Sequence, residues 1–277
     1  MRLTVLVDNN ASHDLAGEWG LSLFIEVEKQ KILFDLGASD LFLRNAVWLN
    51  IDLMNLDYLI LSHGHYDHTW GLDYWLKHRA KIPRKVGTQP TFLAHPFALN
   101  PKFRDDMTEF GMITSEIILK RFFKTVFSKE PVHLTEKLIF LGEIERRFDF
   151  ENNHPPGKIF KSDGSLIDDY LMDDTALVYL TTQGIVIITG CSHSGICNIV
   201  EYARKVCHEE RVLDIIGGFH LRGLKSGDPQ LEETLNYLKN LNPGRIHPCH
   251  CTDLSAKIAL AQAVEIAEIS VGSAIEY

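Results

Sequence analysis

Four residues able to bind metal or move protons fall within six positions, in His63-Gly64-His65-Tyr66-Asp67-His68. In an extended segment side chains alternate, so His63 and His65 point the same way, while a turn into a helix swings Asp67 and His68 to a neighbouring direction. One short loop can therefore serve two adjacent metal ions. Other histidines also stand just beyond apolar runs: His193 in Thr189-Gly190-Cys191-Ser192-His193-Ser194-Gly195, His220 in Gly217-Gly218-Phe219-His220-Leu221, and His250 in His247-Pro248-Cys249-His250-Cys251-Thr252. Loops after strands are where such sites are built. A polar surface loop is the bland alternative for 63–68, and the density of ligand types behind a buried strand disfavours it. Ser192 and Ser194 flank His193, but adjacency in sequence does not put a hydroxyl on an imidazole, and no Gly-x-Ser-x-Gly turn is present.

The elements that must position these residues are legible in outline. Leu3 to Val7, Leu21 to Val27 and Lys31 to Asp35 read as strands, and Tyr58 to Leu61 as a short buried one. Ser39 can cap a helix to about Leu49, with Leu41, Leu43, Val47 and Trp48 as its apolar positions, and Trp70 to Leu76 suggests another. Later come strands at Ala176 to Thr181, Ile185 to Thr189, Leu213 to Ile216 and Arg245 to Pro248. Helices are expected at Gly195 to His208, Pro229 to Leu241 and Asp253 to about Glu268. Strands then helix, twice over, predict an α/β chain of two sheets with helices on their outer faces.

Between about 82 and 174 prolines break the pattern. This stretch reads as an insert, a lid or substrate-binding region, within a single domain spanning 1–277. Its basic residues Arg84, Lys85, Lys102, Arg104, Arg121 and Lys124, together with His154, could meet an anionic group such as phosphate, though each alone reads more simply as a solvated surface residue. Its phenylalanines suit an internal core, and a flat aromatic ligand would also suit such a lining. His13, His78, His95, His133, His208 and His247 carry no motif and read as structural or surface residues.

The 277 residues carry a net charge of −9 with 45% hydrophobic content, enough for a sizeable core. The acidic balance argues against nucleic acid as a partner. No apolar run approaches the roughly 20 residues of a membrane span, and the start lacks the pattern of a signal peptide, so a cytoplasmic protein with no membrane partner is expected. Five cysteines, odd in number and confined to the last third, fit thiols in a reducing compartment. The expected partner is a small-molecule substrate, possibly phosphorylated; oligomeric state is not legible.

The 63–68 motif, with Phe34-Asp35-Leu36-Gly37, the segment around His193 and the last histidine at 250, resembles the metallo-β-lactamase superfamily over most of the chain. That resemblance implies a four-layer αββα sandwich with metals at one edge of two sheets. It implies a first site of His63, His65 and His193, a second of Asp67, His68 and His250, and Asp35 orienting the metal loop by hydrogen bonds. The family usually supplies a bridging Asp at the end of the strand that here reads Asp214-Ile215-Ile216-Gly217-Gly218-Phe219-His220. No carboxylate stands there, since Asp214 is too early. His220 is the nearest ligand type, to be either a ligand of the second metal or a substrate contact. Cys191, Cys249 and Cys251 lie beside the implied ligands, so a thiolate-containing zinc site is an alternative to their packing behind the loops.

Asp8-Asn9-Asn10, Glu18-Trp19-Gly20-Leu21-Ser22, Asp173-Asp174-Thr175 and the Gly-Gly-Phe-His-Leu segment further resemble a subgroup named for 7,8-dihydropterin-6-methyl-4-(β-D-ribofuranosyl)-aminobenzene-5′-phosphate synthase. Three readings follow. The leading one is a metal-dependent hydrolase that uses a metal-bound hydroxide on a small ester, lactone, amide or phosphodiester, with Asp67 as proton acceptor and His220 stabilising the oxyanion. The second is a synthase-like transferase of pterin biosynthesis and the third a non-catalytic metal-binding sensor, while a nuclease of the same superfamily is disfavoured by the charge of −9 and the lack of a basic tract. Zinc, one or two ions per chain, is the default cofactor, and iron or manganese also suits the ligands.

Overall fold

The computed structural model describes residues 1–12, 14–83, 89–151, 154–161 and 163–277; His13, Arg84, Lys85, Asn152 and Asn153 lie outside them. The chain divides into two units. The first comprises Met1–Ser128, Pro156–Asp169 and Ser270–Tyr277, and the second Lys129–Pro155 and Tyr170–Ile269.

The first unit is built on a seven-stranded sheet in the spatial order Ala274–Glu276, Arg2–Val7, Ser22–Val27, Gln30–Phe34, Tyr58–Ile60, Thr91–Ala94 and Lys124–Phe127. The first four strands pair antiparallel and the last four run parallel. Parallel strands end at the same edge of a sheet. Phe34 is in register with Ile60, and Ile60 with Leu93, so Asp35, the 61–65 loop and His95 all leave from that edge. Leu33, Leu59, Trp75, Phe92 and Phe123 fill the core, with the Trp75 and Phe123 rings stacked at 5.0 Å. A small three-stranded sheet of Leu166–Asp168, Lys158–Phe160 and Lys102–Phe103 belongs to the same unit.

The second unit carries a six-stranded sheet in the order Arg245–Pro248, Val212–Gly217, Gly184–Thr189, Ala176–Thr181, Leu138–Phe140 and Val132–His133. Its first three strands are parallel. Gly184–Thr189 is buried along its whole length, which is why it reads as an unbroken apolar run rather than an alternation. The helix Ile196–Cys207 turns Ile196, Ile199, Val200 and Ala203 inward, and Pro229–Leu241 is capped by the Asp228 side chain, which accepts from the Gln230 N–H. Here too the parallel strands deliver their following loops, 190–195, 218–220 and 249–252, to one edge.

Three local expectations differ from the structure. Val47 and Trp48 of the helix Leu41–Trp48 are exposed; Leu41, Phe42, Asn45 and Ala46 face inward, because the inward face follows 3.6-residue spacing from Phe42. The last helix spans only Leu254–Leu260, because the chain beyond it pairs with the Arg245–Pro248 strand through Ile246 N–H to Glu265 O and Ala267 N–H to Ile246 O, both 2.9 Å. The 82–174 stretch holds the strands Thr91–Ala94 and Lys124–Phe127, each too short for periodicity to reveal, besides Leu138–Phe140, where Lys137 to Leu141 is the one periodic run of that stretch legible in the sequence. Among the described residues no helix is long and apolar enough to cross a membrane.

Candidate metal centre

The 63–68 loop is fixed from its back. Asp35, wholly buried and held at a left-handed φ of +59° just past its strand, accepts from the Ser62 N–H at 2.8 Å and the Ser62 hydroxyl at 2.6 Å. Its Oδ2 also lies 2.7 Å from His68 Nδ1, and Ser62 Oγ lies 2.9 Å from His63 Nδ1. Both rings thus spend Nδ1 on the anchor, and Nε2 is the nitrogen each turns to the ligand side. The rings of His63 and His65 lie 4.6 Å apart and those of His63 and His68 4.3 Å. His68 Nε2 lies 4.0 Å from Asp67 Oδ2, a gap that two ligands of one ion span at about 2.0–2.2 Å each. All four donors are buried.

The loop can sit this deep only because residue 64 is glycine. A Cβ there would lie 2.3 Å from Ala98 O and 2.9 Å from Lys102 Cε. Lys102 is itself wholly buried and ion-paired with Asp169 at 2.8 Å, so it is a strut beneath the loop rather than the solvated lid residue its charge suggests. Arg104, Arg121, Lys124 and His154 are exposed.

In the second unit, three of the loops that follow parallel strands each hold a non-glycine residue in the left-handed region: Ser192 at φ +60°, His220 at +51° and His250 at +50°. Such conformations cost about 1 kcal/mol or more each and persist where surrounding contacts impose them. The contacts are explicit. Ser192 Oγ donates to Gly218 O at 2.6 Å, Gly218 N–H to Gly190 O at 2.8 Å, Cys249 N–H to Gly217 O at 2.9 Å, and Phe219 N–H to Thr252 Oγ1 at 2.9 Å. The result brings the His193 and His220 rings to 4.2 Å. Ser194 donates both N–H and hydroxyl to Asp174 Oδ2, at 2.8 and 2.6 Å; burial pushes that carboxyl up to about 6 against these bonds. Glu151 accepts from the Cys197 and Asn198 N–H groups at the start of Ile196–Cys207, each at 2.8 Å, and burial pushes it up to about 7.

Ser62 and Glu151 carry no signal of their own in the sequence, Ser62 being legible only as the neighbour of His63, whereas Asp174 entered through the subgroup resemblance of Asp173-Asp174-Thr175 without a role. His95 and His247 are buried structural residues. His95 Nδ1 accepts from the Phe97 N–H at 3.1 Å, and His247 pairs with Asp214 at 3.1 Å. Asp214 also pairs with Arg245, within its strand and short of the loops. The five cysteines are thiols. Burial alone would raise the Cys251 thiol, but hydrogen bonding with Cys191 and His220 outweighs it and holds it well below the usual cysteine range.

Buried imidazoles, a carboxylate and thiols on the loops that follow parallel strands are the donor chemistry of a divalent transition metal. The metallo-beta-lactamase superfamily pattern matches residues 20–250. The chain belongs to the metallo-β-lactamase superfamily. Its mixed α/β architecture is the one expected of that family. It is 34% identical over 251 residues, 86% of this chain and 82% of the relative, to 7,8-dihydropterin-6-methyl-4-(beta-D-ribofuranosyl)-aminobenzene-5′-phosphate synthase of Methanocaldococcus jannaschii. It is 32% identical over 262 residues, 94% of each chain, to the uncharacterized protein MJ0448 of the same organism. The crystal structure of Tm1679, described as a metal-dependent hydrolase of the beta-lactamase superfamily, is similar with a TM-score of 0.83 and 28% identity, covering 100% of this chain and 99% of that one.

Proposed function

We propose that the chain is a metal-dependent hydrolase of small ester, lactone, amide or phosphodiester substrates, with zinc as the default ion and two ions per chain. The observation that carries the reading is the 63–68 loop, in which His63 and His68 are locked by their Nδ1 atoms with Nε2 turned outward, and Asp67 stands beside His68. Following the superfamily pattern, His63, His65 and His193 would hold one ion, and Asp67, His68 and His250 the other. Bound there, the ions would acidify a water and polarise a substrate oxygen. Asp67 takes the proton of the attacking water, and His220 donates to the oxyanion that develops on the substrate. The exposed His154 is the group proposed to meet a substrate phosphate.

A second reading has a specific support, the 34% identity to a protein named as a pterin-pathway synthase. In that case the same donors would activate a group for transfer, and the substrate would be a phosphorylated aromatic.

Elemental analysis of the purified protein alongside turnover of a generic phosphodiester tests the proposal. Two ions per chain with turnover, both lost in His65→Ala, are expected. Two ions without turnover on any ester, lactone or phosphodiester would overturn the hydrolase in favour of transfer, and full metal content in active His65→Ala would overturn the ligand assignment.

A further inference from the structure

The strand Val212–Gly217 ends in Gly217-Gly218, with no side chain where a carboxylate joining two ions is expected. That space is filled by something else. A Cβ on Gly218 would lie 2.4 Å from Cys251 Sγ and 3.4 Å from Cys191 Cα. Cys251 Sγ donates to Cys191 O at 3.4 Å and so packs against the backbone of the 190–195 loop. Cys191 Sγ lies within 4.8 Å of a ring nitrogen of His193 and also of one of His250, and all three residues are buried. Thus one sulfur neighbours the two second-unit histidines that the reading above assigns to different ions. Zinc holds sulfur at about 2.3 Å and imidazole nitrogen at about 2.0–2.1 Å, so two such ligands of one ion stand at most about 4.4 Å apart, close to the 4.8 Å within which these atoms lie.

We propose that Cys191 is a metal ligand, its thiolate supplying the metal centre with the anionic donor that the strand end lacks. The inference rests on the binuclear reading given above. On binding, the S–H bond breaks, its proton passes to solvent, and the sulfur lone pairs become the metal–sulfur bonds; nothing is oxidised or reduced. The consequence is selectivity. A thiolate is a soft donor, so the site favours zinc or iron over manganese, which carboxylate-rich sites accept readily.

The test uses the full chain loaded with cobalt(II). Thiolate ligation gives an intense near-ultraviolet sulfur-to-cobalt band, separate from the weak visible bands of a bound cobalt ion. Wild type is expected to show both, with Cys191→Ser losing the near-ultraviolet band and falling from two ions per chain toward one, while Cys249→Ser and Cys251→Ser keep the band. A wild-type protein with visible bands but no sulfur band overturns the inference and leaves the metal centre standing, whereas one that takes up no cobalt overturns the centre itself. A band lost only in Cys251→Ser or Cys249→Ser also overturns the assignment to Cys191. Should Cys191→Ser fail to fold, alkylation of the wild type read by mass spectrometry decides. Cys191 is expected to be protected by zinc and modified after chelation, and equal modification in both states overturns the proposal.

Discussion

Asp35 Oδ2 lies 2.7 Å from His68 Nδ1, and both side chains are wholly buried. The same oxygen accepts the Ser62 hydroxyl proton at 2.6 Å. A hydroxyl has one proton, so Ser62 Oγ must accept, not donate, at His63 Nδ1. One carboxylate therefore dictates the tautomer of two histidines, one directly and one through a serine, leaving the lone pair of each on Nε2.

From that wiring, Asp35→Asn should weaken both ions, because its amide has one accepting oxygen and its NH2 must face either the Ser62 N–H or the two donors that converge on Oδ2. Ser62→Ala should weaken chiefly the ion that uses His63. Orienting partners of this type are worth about 10–100-fold in metal affinity. Competition with a chromogenic chelator measures it, and unchanged affinity in Asp35→Asn would refute the tautomer argument.

Lys102 and Asp169 form a buried pair directly under Gly64. Lys102→Met should destabilise the protein by about 3–5 kcal/mol, since it strands the Asp169 charge away from water. Lys102→Met/Asp169→Leu should recover most of that loss, because no buried charge remains. Urea midpoints of the three proteins decide; a double variant no more stable than the single one would mean that Lys102 acts through contacts other than Asp169.

What the sequence made legible is what local chemistry encodes. Pro229–Leu241 and Arg245–Pro248 have the bounds that their caps and periodicity indicate, and the 63–68 motif announces its donors by spacing alone. What stayed hidden depends on long-range contact. Asp35 as the anchor of the loop came from the family resemblance, but its partner Ser62, 27 residues away, did not, nor did Lys102 meeting Asp169 across 67 residues or Glu151 meeting the start of Ile196–Cys207 across 46. Lys102 shows the difficulty plainly: a lone lysine in a proline-broken stretch reads as solvated, and only the fold supplies the carboxylate that lets it be buried. The left-handed turns at Ser192, His220 and His250 were equally silent, because nothing local in a serine or histidine demands φ > 0; the loops' mutual hydrogen bonds impose it.

Glu151 gives the clearest pH signature. Its carboxyl is raised from an ordinary 4.5 to about 7 by burial, only partly offset by the Cys197 and Asn198 N–H groups. Between those values the folded protein binds the proton more tightly than the unfolded chain does, so its contribution to stability is full below about 4.5 and is lost as pH rises through about 7. At about 1.4 kcal/mol per unit the whole loss is at most about 3–4 kcal/mol. Asp174, raised from 3.8 to about 6, acts with the same sign but completes its loss near pH 6. The drop between about pH 6 and 7 therefore belongs to Glu151 among these two. Glu151→Gln should erase it, lying roughly 1 kcal/mol below wild type at pH 4 through the lost acceptor and matching or overtaking wild type above about pH 7, where wild type has lost the Glu151 contribution. Urea midpoints of metal-free wild type and variant across pH 4–8 provide the comparison, with other titrating groups cancelling in the difference. Parallel curves above pH 6 would show that Glu151 is ionised in the fold throughout, held so by the helix N-terminus it caps.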